Sequence, residues 1–388
     1  MLKKKENLSR FKEKFCFFTK KKTKGKLIWF HGASVGEIQS IIPILEKLEK
    51  ENKIKTVLIT SNTLSSSKIV AKFKFKKIIH QFFPIDTNYF SSKFIKYWKP
   101  SAAYFIDSEI WPNTIINLKK RKIPIMLING RITSKTFKKW KMLPNFSKYI
   151  FRQIDKCLPA SKKSENFLQK LGVLNIKFIG NLKFSQSENE KSKVNKKLNK
   201  FINSRKTWCA SSTHYSEEKF CGLIHKKLKK KYKNLLTIII PRHIHRIKLI
   251  EDELNELGLK TQTHLPFKKI NKNIDIYLVN SYGQTKSFFN TCKTVFLGGS
   301  IINHGGQNPL EATRYGCNIL HGPNVDNFKE IYEFLRKNKI SSEVKNPKIA
   351  LKKLDELLIK QSNSKNIQVK LKKIGKKILQ KTYKEIIF

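Results

Sequence analysis

Glu37 closes the run His31-Gly32-Ala33-Ser34-Val35-Gly36-Glu37, which joins a short apolar stretch to an amphipathic one. In an alternating α/β chain that is the carboxyl end of a strand, where ligands bind and where glycines let a substrate approach the backbone. A carboxylate there has two readings. It is a base facing a cleft, or it is an acid in a first helical turn that complements the helix dipole. Asp107-Ser108-Glu109-Ile110-Trp111-Pro112-Asn113 repeats the layout, with Pro112 suited to a helix's first turn. Two carboxylates two residues apart could bind a divalent metal, orient a sugar hydroxyl, or cap the helix. Lys183, in Gly180-Asn181-Leu182-Lys183-Phe184, lies where one half of the chain hands over to the next, so its ammonium reaches an interdomain cleft or simply solvent.

The second half offers groups that suit an anion. Pro241-Arg242-His243 follows the apolar run 235–240, and an Arg at a strand end can clamp a phosphate or carboxylate. Gly298-Gly299-Ser300 closes another strand. Next comes His304-Gly305-Gly306-Gln307-Asn308-Pro309-Leu310-Glu311, a glycine loop opening a helix whose backbone N–H groups can hold an anion. Glu311, one turn in, could accept both hydroxyls of a ribose.

Such groups need strands to present them. Short β-branched or aromatic runs at 26–31, 56–61, 103–106, 124–129 and 177–180 alternate with helical patterns such as 38–50 and 113–122. That alternation predicts a parallel sheet covered by helices. Residues 185–200 are polar with little periodicity, and after them the alternation restarts at 208–211, 235–240, 276–279, 294–297 and 318–320. The expected order is a basic segment 1–24, an α/β domain 25–184, a linker 185–204 and a second α/β domain 205–388. The Lys-rich segment 365–388 is helical by pattern and could fold back onto the first domain.

A chain of 388 residues suits two such domains. Its six cysteines are scattered, with no C-x-x-C pair and no zinc spacing, which predicts reduced thiols and no metal. The net charge of +53 suggests a polyanion partner, yet 72 of the 81 basic residues are Lys and only nine are Arg. A nucleic-acid binder would concentrate Arg, whose planar fork reads phosphate and guanine, so nucleic acid is not expected as a partner. No apolar run approaches the ~20 residues of a membrane-spanning helix. Leu8, Phe11, Phe15 and Phe18 form one helical stripe amid Lys, which fits a helix lying on a membrane or one packed on the domain. The basic aromatic stretch 137–151 is a further docking candidate.

In order along residues 26–330, six motifs resemble those of 3-deoxy-D-manno-octulosonic acid (Kdo) transferases. They are Ser34-Val35-Gly36-Glu37, Glu109-Ile110-Trp111-Pro112-Asn113, Asn129-Gly130-Arg131-Ile132, Gly180-Asn181-Leu182-Lys183-Phe184, Pro241-Arg242-His243, and Gly298-Gly299-Ser300 through Asn308-Pro309-Leu310-Glu311 to Asn327-Phe328. The resemblance implies an α/β GT-B glycosyltransferase, two Rossmann-like domains facing across a cleft, that moves Kdo from CMP-Kdo to a lipid A precursor (lipid IVA). It implies no cofactor, and a peripheral place on an anionic membrane surface, the cytoplasmic face of the bacterial inner membrane. It assigns the base to Glu37, transition-state stabilisation to Asp107 and Lys183, and the acceptor side to Ser34, Gly36, Glu109 and Arg131. It assigns CMP to Pro241, Arg242, His243, Tyr282, Gly283, Gln284, Gly299, Ser300, Asn308, Pro309, Leu310 and Glu311. Three departures stand out. The family usually has Glu at Asp107; its nucleotide loop usually reads Asp-Thr/Ser-x-Gly-Glu-Leu where this chain reads Asn280-Ser281-Tyr282-Gly283-Gln284-Thr285; and many members begin with a hydrophobic anchor. The same-class alternative is another GT-B sugar-nucleotide transferase or epimerase. The other alternative is a basic nucleic-acid-binding protein.

Overall fold

Strand β1 (Leu27–His31) is buried along its whole length, as a strand covered on both faces must be. In the computed structural model, which describes residues 10–22, 24–186, 194–264, 270–359 and 364–386, it lies inside a parallel sheet. The sheet also holds β2 (Thr56–Ser61), β3 (Ile78–Phe82), β4 (Ala102–Ile106), β5 (Ile125–Gly130) and β6 (Lys156–Pro159), in the order β3-β2-β1-β4-β5-β6. The chain builds outward from β1 to β3, then returns to the other side of β1 at β4. Such a reversal, at the carboxyl ends of β1 and β4, is where open parallel sheets bind ligands. Residues 177–180 form no strand. Ile176 makes a single parallel bridge to Cys157, and the sixth place belongs to the four-residue β6.

The second sheet is parallel as well. It comprises β7 (Lys206–Thr213), β8 (Leu235–Pro241), β9 (Thr261–Thr263), β10 (Ile276–Leu278), β11 (Thr294–Leu297), β12 (Asn318–His321) and β13 (Ser341–Glu343). Their order is β13-β12-β11-β7-β8-β10-β9, with the reversal between β7 and β11. Apolar clusters fill both faces, one built around Cys209, Ile238 and Val295, the other around Trp208, Ile239 and Phe296.

The chain divides into two compact units, Met1–Gln186 with Lys373–Phe388, and Ser187–Lys372. Part of the stretch read as a linker is helix Lys196–Asn203, whose Leu198 and Ile202 are buried in the core of the second unit. Two apolar residues four apart gave too little periodicity to betray it.

The N-terminal stripe is not one helix. Residues Phe11–Phe15 form a 3₁₀ turn that Cys16 ends in the left-handed region. Phe18 stacks on Tyr97 at 3.8 Å and Phe15 meets the edge of Phe90 at 5.7 Å, while Leu8 lies outside the described residues. Glu13, fully buried, accepts from the Phe82 N–H at 2.8 Å and pairs with Arg10, which donates to the His80 carbonyl at 2.9 Å. The segment thus covers edge strand β3, whose open N–H and C=O groups would otherwise invite pairing with another chain.

At the other end, helix Ser364–Glu385 carries Gly375 against the first unit's Lys183 loop. A Cβ at Gly375 would lie 2.3 Å from the Phe184 carbonyl oxygen. Glu385 then pairs with Lys156 and Lys177 at 2.5 Å each. Helix propensity alone would make Gly375→Ala stabilising by about 1 kcal/mol. The packing reverses the sign: we expect Gly375→Ala to lower the urea midpoint by the equivalent of roughly 1–3 kcal/mol. A raised midpoint would remove the close approach from the account.

Candidate active site

In the first unit the site grows from helix Val35–Leu48. Ser34 is its N-cap, accepting from the Glu37 N–H at 3.4 Å and donating its hydroxyl to Glu37 Oε1 at 2.8 Å. Glu37 Oε2 accepts from the Ala33 N–H at 2.7 Å. Glu37 thus completes a capping box, as an acid in the first turn can, and its carboxyl is pushed up to about 7. Burial is the largest cause, followed by the like charges of Glu109 and Asp107. A carboxyl titrating near neutrality is matched to proton transfer. A Cβ at Gly36 would meet nothing within 4 Å, so the fold does not require glycine there.

Past β4, Asp107 sits at φ 56°, a left-handed turn that aims its buried carboxylate at two partners. Oδ2 takes the Lys183 ammonium at 2.7 Å, and Oδ1 accepts from the Asn129 amide. Asn129, itself at φ 56°, then accepts the Leu182 N–H on Oδ1 at 2.8 Å and so fixes the loop that carries Lys183. Glu109 Oε2 accepts from Trp111 Nε1 at 2.8 Å and lies 3.1 Å from His31 Nε2. The far side of that ring meets the Thr60 hydroxyl at 2.9 Å.

Of the three uses left open for the Asp107/Glu109 pair, capping goes to another residue. Asp86 accepts from the Asn113 and Thr114 N–H groups at 3.1 and 2.8 Å, and so caps helix Pro112–Lys120. The two carboxylates have separate partners, Lys183 with Asn129 and His31 with Trp111, and among the described residues no group of three His, Cys, Asp or Glu is arranged to hold a metal. Arg131 joins the site through its backbone, its N–H bonding the Asp107 carbonyl at 2.9 Å.

The second unit's expected residues lie on the turns after β8, β10 and β11. Arg242 N–H bonds the Thr213 carbonyl at 2.9 Å, which ties Pro241-Arg242-His243 to the end of β7. Gly299, at φ 66°, accepts from the Gly306 N–H at 2.8 Å, folding the glycine loop back on the strand end. Ser300 Oγ holds the Gly322 N–H at 2.8 Å. The helix opened by that loop is shorter than expected, only Leu310–Arg314, because Gly316 at φ 78° ends it. Asn308 Oδ1 already takes the Leu310 N–H at 3.1 Å, which reduces what is left for an anion. Glu311 is half-exposed and lies 3.9 Å from Lys286, two residues past the Tyr282-Gly283-Gln284 turn. Tyr282 is exposed, and a Cβ at Gly283 would meet nothing within 4 Å.

The family described as 3-Deoxy-D-manno-octulosonic-acid transferase (kdotransferase) matches residues 9–186. A 3-deoxy-D-manno-octulosonic acid transferase from Rickettsia felis is 35% identical over 340 residues, which cover 86% of this chain and 71% of that one. The chain belongs to the Kdo transferase family. The Rickettsia bellii transferase is 33% identical over 91% of this chain and 84% of its own, and that of Haemophilus influenzae is 27% identical over 91% and 83%. Among solved structures, UDP-GlcNAc 2-epimerase from Neisseria meningitidis superposes with a TM-score of 0.63 at 13% identity, over 93% of this chain and 100% of that one. That likeness shows the GT-B fold alone.

Three residues of this Kdo transferase family member were not singled out from sequence. Glu217, fully buried, accepts four backbone N–H groups: His214 at 3.0 Å, Gly299 at 2.7 Å, Ser300 at 3.0 Å and Ile301 at 2.9 Å. Its neighbour Glu218, also buried, holds Arg246 at 3.2 Å below the Pro241-Arg242-His243 turn. Asn129 is the third. Adjacent acids directly after a strand end, in a chain with only 28 acids, were the available signal for the first two.

Proposed function

We propose that this protein transfers Kdo from CMP-Kdo to a lipid A precursor, with Glu37 as the base. The observation that carries the reading is the Glu37 carboxyl, held near neutrality by burial and by two neighbouring carboxylates at a strand end. Ionised Glu37 takes the proton of an acceptor hydroxyl. The hydroxyl oxygen bonds to the anomeric carbon as that carbon's bond to the phosphate oxygen breaks, so the centre inverts and cytidylate leaves with the electron pair. The Lys183–Asp107 pair brings both signs of charge to the site where charge develops, and Asn129 keeps that pair in place. Ser34, Gly36, Glu109 and Arg131 serve the acceptor side. The turns at Pro241-Arg242-His243, Tyr282-Gly283-Gln284, Gly299-Ser300 and Asn308-Pro309-Leu310-Glu311 serve the nucleotide. No metal takes part in this scheme, since the charges it would balance already have Lys and His partners.

Purified protein given CMP-Kdo and a tetraacyl disaccharide phosphate should yield a product heavier by whole Kdo residues in mass spectrometry, with or without EDTA. Glu37→Gln should cut turnover about 10²- to 10⁴-fold and leave CMP affinity nearly unchanged. Transfer that needs Mg²⁺, or near-normal turnover of Glu37→Gln, would overturn the scheme.

A lipid acceptor also requires docking at a membrane, and among the described residues no helix is long and apolar enough to cross one. Helix Ser134–Lys141 has no buried residue, and Phe137 and Trp140 pack inward on Phe167 and Phe151. Met142, Leu143, Phe146 and Tyr149 stay exposed, Met142 at 78%, among Lys138, Lys139, Lys141 and Lys148. An adjoining open pocket of about 470 Å³ adds Arg152 and Lys170. Apolar tips ringed by cations suit the cytoplasmic leaflet of an anionic inner membrane, at ~1 kcal/mol per nearby Lys. With Phe15 and Phe18 packed on the domain, this patch takes over the docking role. Met142→Glu with Phe146→Glu should abolish co-sedimentation with anionic vesicles while sparing transfer to a detergent-dispersed acceptor; unchanged co-sedimentation would remove the patch from the proposal.

A further inference from the structure

One buried imidazole in the second unit has no hydrogen-bond partner on Nε2 among the described residues. His214 directly follows β7, at the reversal between β7 and β11, and is 7% exposed, yet its Nε2 makes no hydrogen bond. A buried polar nitrogen left unpaired costs about 1–3 kcal/mol, so its persistence calls for a reason. The surroundings supply one. The His304 ring lies 4.3 Å away centre to centre, and the His243 ring stands at 5.7 Å and nearly perpendicular. A Cβ at Gly299 would sit 3.4 Å from His214 Nε2, so glycine there leaves the approach to that nitrogen unfilled.

Most of the side chains that face the ring are basic. His304 comes from the loop after β11, and His243, Arg242 and Arg246 come from the turn after β8. Two carboxylates on the following helix, Glu217–Lys229, are already occupied: Glu217 by four backbone N–H groups, Glu218 by Arg246. Arg242 has no carboxylate partner among the described residues and is exposed. Burial first, then His304, His243, Arg242 and Arg246, hold the His214 imidazole down to about 4, so at neutral pH the ring is uncharged.

We propose that His214, with Arg242 and His304, forms an oxyanion subsite, and that the His214 imidazole takes up a proton from solvent as the oxyanion arrives. The inference deepens the donor reading above and rests on it, for CMP-Kdo presents two such groups, a phosphate and a sugar carboxylate. An oxyanion supplies the missing negative charge, raises the imidazole above its free value, and gives Nε2–H an acceptor. By linkage, affinity should then rise as pH falls from the liganded midpoint toward about 4, the free value, and level off below it.

The test is a proton–carbon NMR titration of the full chain with ¹³C-labelled histidine. The His214 resonance is assigned by its loss in His214→Gln or, where that variant does not fold, by its contact with the Gly299 amide. Without ligand the resonance should not titrate between about pH 8 and 5.5. Saturating CMP should bring its midpoint up by more than about one pH unit, into that window, and cytidine should not. A shift with CMP and inorganic phosphate assigns the subsite to the phosphate. A shift with free 3-deoxy-D-manno-octulosonate alone assigns it to the carboxylate. If CMP binds and no probe moves His214, the inference is overturned and the donor reading stands. If inorganic phosphate moves His214 and CMP does not bind, the subsite stands and the donor reading fails.

Discussion

Three carboxylates are crowded at the ends of two adjacent parallel strands, and the first unit is built to keep them there. Glu37 after β1 and Asp107 and Glu109 after β4 repel one another across the reversal of the sheet. Asp107 has the Lys183 ammonium, Glu109 has the His31 ring, and Glu37 has only N–H and O–H donors. That inequality leaves Glu37 the group whose ionisation is disfavoured. Distant parts of the chain then serve the arrangement. Asn129 at the end of β5 ties Asp107 to the Lys183 loop, and Gly375 on the last helix presses on the backbone of the same loop.

The same economy of negative charge runs through the molecule. With 28 acids against 81 bases, each acid at a critical junction is matched to several donors, and most lysines remain solvated. Glu13 closes the edge at β3, Asp275 receives Lys229 and the Lys260 N–H beside β10, and Glu217 and Glu218 secure the two turns that flank His214. Around His214, where both acids are taken up by backbone N–H groups and Arg246, the facing side chains are basic.

Much of this was legible in the sequence, for local reasons. β2 and β11 match their apolar runs to the residue, and the strand-end motifs picked out Glu37, Asp107 and the turns after β8 and β11. What escaped was nonlocal or short. β3 is an edge strand broken by His80 and Gln81, and β6 has four residues. The Lys183–Asp107 pair spans 76 positions, so Lys183 read equally well as solvated. Glu217 looked like any first-turn acid until its four backbone partners were visible. The N-terminal stripe kept helical spacing, yet the left-handed turn at Cys16 ends the helix before Phe18.

The central claim is that like charge and burial, together, make Glu37 a base at neutral pH, and the pH dependence of kcat/KM tests it most directly. The ascending limb of wild type should have its midpoint near pH 7. Glu109→Gln, which removes the stronger of the two repelling charges, should carry that midpoint downward by roughly one pH unit. A limb near pH 5, in the range of an ordinary carboxylate, or one that Glu109→Gln leaves in place, would contradict the account.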